Sequence, residues 1–340
     1  MLINRILIVG HGSIGKRHLE LARSFFPDAD IRVLRHLKSI STPENSNGCF
    51  HNIEDAYRFA PQLAVIANPA TFHIEVALKL IKQGVHLLIE KPIAATRDGI
   101  QLLLDLSRKN NTVLLVGYNL RFLSSLQKFR SALHLQTIGK VLSVRCEIGQ
   151  FLPSWRPNTD YKQGVSARSN LGGGALLELS HEIDYLRWIF GEVEWVTAIL
   201  SKQSELDIDV EDTAHLIFGF TPKIEDKIQL IASVNLDFIR HDTTRLCTAI
   251  GDMGSLRWNG LAGTVEQFNI EKKTWDEVYH DKKEDSYVSE WKHFLKCLSG
   301  HDKPLISGKD GLKVVEIIEA ARQSSLDKKQ VKVVYENSKD

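Results

Sequence analysis

Apolar residues crowd the first few positions of the chain, where Ile3, Ile6, Leu7, Ile8 and Val9 form a nearly continuous run broken by Asn4 and Arg5. Such a run predicts a parallel strand covered on both faces. Across residues 14–26 the period changes: Ile14, Leu19, Leu21, Ala22 and Phe25 recur at helical spacing, and Pro27-Asp28 marks the stop. Short apolar runs at 31–34, 62–67, 85–89 and 112–116 then alternate with amphipathic stretches at 73–82 and 99–109. Strand and helix in alternation predict an α/β fold built on a doubly wound parallel sheet.

Beyond residue 119 the rhythm lengthens. A helical stretch at 124–135 precedes alternating segments at 141–150, 195–202, 213–220, 229–238 and 244–251, which predict an open, mostly antiparallel sheet. Helical patterns at 176–190, 289–298 and 311–324 accompany it, and the charged stretch after Asp327 reads as a last short strand and a solvated end. A boundary near residue 120 follows, with a dinucleotide-type domain over 1–120 and an α+β domain over 121–340 for substrate binding and oligomerisation. So few helices leave one broad sheet face to be buried by another subunit, so a homodimer or homotetramer is expected.

Composition narrows the function. The 340 residues exceed what one core usually holds, in keeping with two domains. Forty-three Lys plus Arg offset 42 Asp plus Glu, leaving no broad basic field for nucleic acid or a membrane surface. The four cysteines, Cys49, Cys146, Cys247 and Cys297, form no C-x-x-C pair and read as free thiols of a reducing compartment. The apolar start is too short for a secretory segment, and no run approaches the roughly twenty residues of a membrane span; a cytoplasmic location is expected.

The first strand delivers Gly10-His11-Gly12-Ser13-Ile14-Gly15 into a helix, the context in which G-x-G-x-x-G binds a dinucleotide. Gly10 permits the tight turn, Gly12 lets backbone approach a diphosphate, Gly15 allows helix and strand to pack closely, and the helix N-terminus at Ser13 and Ile14 offers N–H groups. This assigns the first domain to the Rossmann type. The second strand ends in Leu34-Arg35-His36 with no carboxylate for the ribose hydroxyls. Arg35, with Lys38 and Ser39 behind it, suits a 2′-phosphate instead, which predicts NADP in preference to NAD. His11 and His18 are expected to pack against the dinucleotide or solvent.

Further motifs are Asn68-Pro69-Ala70-Thr71-Phe72-His73, Glu90-Lys91-Pro92 at the end of the fourth strand, Gly172-Gly173-Gly174, and His181-Glu182-Ile183-Asp184. With these the chain resembles, essentially end to end, the glucose–fructose oxidoreductase, inositol dehydrogenase and MocA (Gfo/Idh/MocA) family. Trp155-Arg156-Pro157, Asp160-Tyr161 and Ser166-Ala167-Arg168 resemble the branch found in bacterial surface-polysaccharide and nucleotide-sugar pathways. The resemblance implies an NAD(P)-dependent oxidoreductase moving a hydride between nicotinamide and a hydroxyl-bearing carbon of a sugar, sugar nucleotide or cyclitol.

By the same resemblance Lys91 is the acid–base residue, and a lysine beyond the carboxyl end of a parallel strand sits where such sheets bind ligands. Oxidising a secondary alcohol requires a proton to leave oxygen as hydride leaves carbon. His181 is implied on the substrate hydroxyls and in the proton relay, with Asp184 on the same helix face. Many relatives carry Asp four residues before this histidine; here Leu177 stands there, and Glu178 one residue later replaces it or braces the helix. Asn68, Pro69, His73, Glu90, Lys91 and Asn119 are expected at the cofactor, Arg121 near substrate or ribose, and Arg156, Tyr161 and Arg168 on a charged sugar. A metal is not expected, since His181-Glu182 lacks the second histidine of H-E-x-x-H. Two alternatives stay open: redox-assisted glycoside hydrolysis or elimination with a retained cofactor, and a non-catalytic dinucleotide sensor.

Overall fold

A computed structural model describes residues 3–35, 42–157, 159–222, 228–281 and 285–336. The described chain divides into two compact units, one of residues 3–118 with 287–315 and the other of 119–286 with 316–336. Segment 287–315, placed by the sequence pattern in the second domain, therefore belongs with the first. Among the described residues no helix is long and apolar enough to cross a membrane.

The first unit runs β1 (Arg5–Val9), α1 (Ser13–Phe25), β2 (Asp30–Leu34), β3 (Gly48–Phe50), α2 (Ile53–Arg58), β4 (Leu63–Ile66), α3 (His73–Ile81), β5 (His86–Glu90), α4 (Ile100–Lys109) and β6 (Leu114–Gly117). Its six strands are all parallel, in the order β3-β2-β1-β4-β5-β6. Chain order reverses between β1 and β4, the switch point at whose carboxyl edge such sheets bind ligands. Ile6, Leu7 and Ile8, Leu63 to Ile66 and Leu87 to Ile89 are fully buried, as the unbroken apolar runs require. The short β3 and α2 escape the sequence pattern; Asn52 starts α2 by accepting a hydrogen bond from the Asp55 N–H at 2.8 Å.

The second unit holds α5 (Ser124–His134), β7 (Val141–Gly149), α6 (Ala175–Glu178), α7 (His181–Phe190), β8 (Val193–Ser201), β9 (Thr213–Phe220), β10 (Ile231–Asp237), β11 (Thr244–Gly251), β12 (Ser255–Asn259), β13 (Thr264–Asn269) and β14 (Thr274–His280). Two helices follow, α8 (Ser286–Leu298), whose residues from 287 lie in the first unit, and α9 (Gly308–Asp327), which runs from the first unit into the second. The strand β15 (Val331–Lys332) completes a nine-stranded sheet in the order β14-β13-β12-β11-β7-β10-β9-β8-β15. It is mostly antiparallel, with β7 and β10 running parallel. On its packed face Cys146, Cys247, Trp258 and Val265 stand in one cross-strand row, all buried. Tyr185 of α7 sits edge-on to Trp258 with centroids 5.3 Å apart. The opposite face exposes Arg145, Ile199, His215, Ile217 and Asn235. The helical pattern at 176–190 is two helices, broken at residues 179–180.

Candidate active site

At the carboxyl edge of the parallel sheet, β1 leads into the glycine turn. Gly10 has φ +93°, and a Cβ there would lie 2.6 Å from the Ala67 carbonyl oxygen and 2.7 Å from the Asn68 nitrogen. A Cβ on Gly15 would collide with the Gly10 carbonyl, whereas one on Gly12 would meet nothing within 4 Å. Two glycines are thus demanded by the backbone, and the third opens onto free space. Gly12 caps α1 without a side-chain hydrogen bond, and the N–H groups of the first turn have no acceptor within the helix. Gly12 and Ser13 are exposed and Ile14 half-buried. The Asn68 side-chain oxygen, beside this turn, is buried without a hydrogen-bond partner. A dinucleotide fits these residues, its diphosphate over Gly12 and the start of α1, and a donor to Asn68 Oδ1 would satisfy the orphaned oxygen.

At the end of β2, the Arg35 N–H donates to the Phe50 carbonyl at 3.0 Å, fixing the strand end. His11 is held below the usual histidine range by burial, then by the charges of Lys16 and Arg35. Three basic groups therefore gather around the turn. Burial pushes the Cys49 thiol up, with Arg35 opposing. Lys38 and Ser39, expected to share this site, lie outside the described residues.

The Glu90-Lys91-Pro92 turn is gripped from both sides. His18, expected against dinucleotide or solvent, is instead fully buried. Its Nε2 lies 2.7 Å from Glu90 Oε1, and the Trp291 indole N–H donates to its Nδ1 at 2.9 Å. Glu90 Oε2 accepts from the Lys91 N–H at 3.1 Å. His73, expected at the cofactor, is 1% exposed. Its ring nitrogens lie 2.7 Å from the Asn68 carbonyl and 3.0 Å from the Pro92 carbonyl, and a neutral ring, with one N–H, donates to one of them. Burial holds His73 below the usual range against the pull of those carbonyls and of Glu90. Lys91 is half-buried. Glu290, unremarked in the sequence, is fully buried with neither carboxyl oxygen hydrogen-bonded; burial and the neighbouring Glu90 charge push it well above the usual carboxylate range.

In the second unit His181 opens α7 and is half-buried. Asp184, expected in catalysis, takes the Arg121 guanidinium on both oxygens, at 2.8 and 2.6 Å, with both side chains 2% exposed. It is a buried counter-ion, because a guanidinium so enclosed needs a carboxylate. Asn119, expected near the ribose, donates its side-chain amide to Ser286 Oγ at 2.8 Å and is buried, a packing role within its own unit.

The loop residues divide. Arg156 is exposed. Tyr161 accepts the Asp207 N–H at 3.2 Å, and Arg168 donates to the Lys162 carbonyl at 2.7 Å, so both brace their loop. Glu178 accepts from Ser166 Oγ at 3.2 Å, the bracing reading of that residue. Gly174, at φ +105°, packs against the carboxylate of Glu211. Glu211 accepts the Leu176 N–H at 3.0 Å and is pushed up by burial; nothing local in the sequence singled it out.

The chain matches known proteins along nearly its whole length. The model of the oxidoreductase family's NAD-binding Rossmann fold matches residues 4–118, and that of its C-terminal alpha/beta domain matches residues 130–333. Myo-inositol 2-dehydrogenase of Thermotoga maritima is 24% identical over 363 aligned positions, covering 97% of this chain and 98% of the relative. Levoglucosan dehydrogenase of Pseudarthrobacter phenanthrenivorans is 29% identical over 57% of this chain and 53% of the relative. Among solved structures, a levoglucosan dehydrogenase in complex with NADH superposes with a TM-score of 0.84 at 20% identity, over 98% of this chain and 99% of the other. The WlbA dehydrogenase of Bordetella pertussis, in complex with NADH and UDP-GlcNAcA, does so at 0.79 and 20% identity, over 99% of this chain and 100% of the other.

Proposed function

The chain belongs to the Gfo/Idh/MocA oxidoreductase family, and from that premise we propose that it is an NAD(P)-dependent dehydrogenase or reductase acting on a CH–OH group of a sugar, sugar nucleotide or cyclitol. One observation carries the reading. The glycine turn after β1, the Asn68 loop after β4 and Lys91 after β5 lie side by side at one carboxyl sheet edge, at neighbouring positions of a continuous register (Val9 against Ile66, Ile66 against Ile89). The substrate class is supported by relatives named for myo-inositol and levoglucosan.

Bound there, a nicotinamide dinucleotide supplies the two-electron hydride acceptor or donor. The chain's own residues do the rest. The N–H groups at Ser13, Ile14 and Gly15 hold the diphosphate. Lys91 takes the hydroxyl proton as the C–H hydride leaves, and returns it in reduction. Within the second unit, His181 is a group suited to hydrogen-bonding sugar hydroxyls, and Arg156 one suited to pairing with a charged sugar.

The finer cofactor reading is NADP in preference to NAD, supported by Arg35, Lys16 and His11 around the turn and by the lack of a carboxylate at the end of β2. A homodimer through the open face of the large sheet is proposed from exposed Ile199 and Ile217 on paired strands, and a monomer mass in light scattering overturns it. Lys91→Ala tests the function: turnover on a responding sugar should fall about 100-fold or more with dinucleotide binding kept, and unchanged turnover refutes the role. In the same titrations, tighter binding of NADH than NADPH refutes the NADP preference.

A further inference from the structure

We propose that two buried histidines, His18 and His73, are positioning residues for Lys91, gripping the residues on either side of it. The inference deepens the acid–base reading of Lys91 and rests on it.

Chemistry fixes the His18 side. A tryptophan indole N–H can only donate, so the 2.9 Å contact from Trp291 makes His18 Nδ1 an acceptor. The ring proton then sits on Nε2 and points at Glu90 Oε1, 2.7 Å away. The other Glu90 oxygen takes the Lys91 N–H. One carboxylate thereby ties the Lys91 backbone to α1 and, through Trp291, to α8. Tyr287 closes the pocket edge-on, 5.8 Å from the His18 ring. Rotation of Glu90 is further restricted by Gly117, where a Cβ would lie 3.2 Å from the Glu90 carboxyl carbon.

His73 acts from the opposite side. It starts α3 and sits between the Asn68 carbonyl on the loop after β4 and the Pro92 carbonyl just past Lys91; a neutral imidazole carries one N–H, so it donates to one of these carbonyls and packs against the other. That ring thus wedges between the loop facing the glycine turn and the turn carrying the lysine. An amine that must meet a substrate hydroxyl needs placement to a fraction of an ångström, which residues outside the reacting set commonly provide.

The test combines a spectroscopic and a kinetic arm. In protein labelled with ¹⁵N-histidine, wild-type His18 should show the neutral tautomer protonated on Nε2, and Trp291→Phe should release that restriction. An Nδ1–H tautomer or an imidazolium in the wild type overturns the proposal whatever the activity. On a sugar that responds in the Lys91→Ala assay, His18→Leu and His73→Leu should lower kcat by up to about 100-fold, with KM and dinucleotide affinity little changed. His18→Gln, which can still accept and donate, should restore most of the loss. Folded Leu variants with wild-type kcat, or a His18→Gln no better than His18→Leu, overturn the proposal. An inert Lys91→Ala would instead sink the function given to Lys91, while the histidine spectra still decide whether the grip exists.

Discussion

Asp184→Asn separates a counter-ion from a catalytic acid. The two guanidinium contacts at 2.8 and 2.6 Å join side chains 2% exposed, so the amide would keep the shape but deprive the enclosed Arg121 charge of this carboxylate. Removing one partner of such a pair costs about 3–5 kcal/mol. The Trp188 ring, 5.4 Å from the Arg121 guanidinium carbon, offsets about 1–2 kcal/mol at most, and it does so in the wild type too. At about 2–4 °C per kcal/mol for a domain of this size, the melting temperature of the second unit should fall by about 6–20 °C. Because two units can unfold separately, hydrogen exchange at α7 should be followed alongside the global melt. The double variant Arg121→Leu/Asp184→Leu should recover most of the loss, since taking out both charges together is often neutral. Asp184→Asn with an unchanged melting temperature and lost turnover would refute the counter-ion reading and restore the catalytic one.

Glu290→Gln should reshape the pH dependence of stability. Glu290 is raised in the folded chain, so its contribution is full below the unfolded glutamate pKa of about 4.3 and is lost as pH rises towards the folded value. Each pH unit in that window costs about 1.4 kcal/mol, and the neutral amide escapes the loss. The stability of wild type minus variant should therefore fall steadily in denaturant titrations from pH 5 upward; a constant difference contradicts it. Gly10→Ala forces a Cβ to 2.6 Å from the Ala67 oxygen in a left-handed backbone, costing about 1–3 kcal/mol for the backbone alone and disrupting dinucleotide binding. Gly12→Ala meets nothing within 4 Å, so denaturant stability should hold while fluorescence titration shows weaker dinucleotide affinity; a variant that binds as tightly as wild type removes the diphosphate from that site.

What was legible in the sequence is what a few consecutive residues decide among themselves. The run from Ile6 to Val9 is a constraint of this kind, because buried strands demand apolar runs; the glycines after it and the Glu90-Lys91-Pro92 turn are legible as motifs, although what demands a residue without Cβ at Gly10 is its approach to Ala67. Of the three strands from Ser255 to His280, the first alternates strictly but spans only five residues, and the adjacent polar pairs Glu266-Gln267 and Asp276-Glu277 break the alternation of the other two; the break at 179–180 is hidden because the apolar period runs on through it. The return of 287–315 to the first unit rests on pairings such as the Val116 N–H with the Ile306 carbonyl at 3.0 Å, which no local pattern contains.

Three site residues share one kind of surrounding. His18 is expected against dinucleotide or solvent, His73 at the cofactor and Asp184, by resemblance, in catalysis, and each is buried with polar atoms within hydrogen-bond reach of protein groups. Their partners lie 72, 5 and 63 residues away, and the cost of burying a polar group is met by whatever the fold delivers, near or far. A motif therefore marks where polar groups are required without distinguishing those that touch a ligand from those that hold the ones that do. In the first unit the distinction falls to accessibility: Lys91 is half-buried and Ser13 exposed, while Glu90, His18 and His73 are closed in behind them.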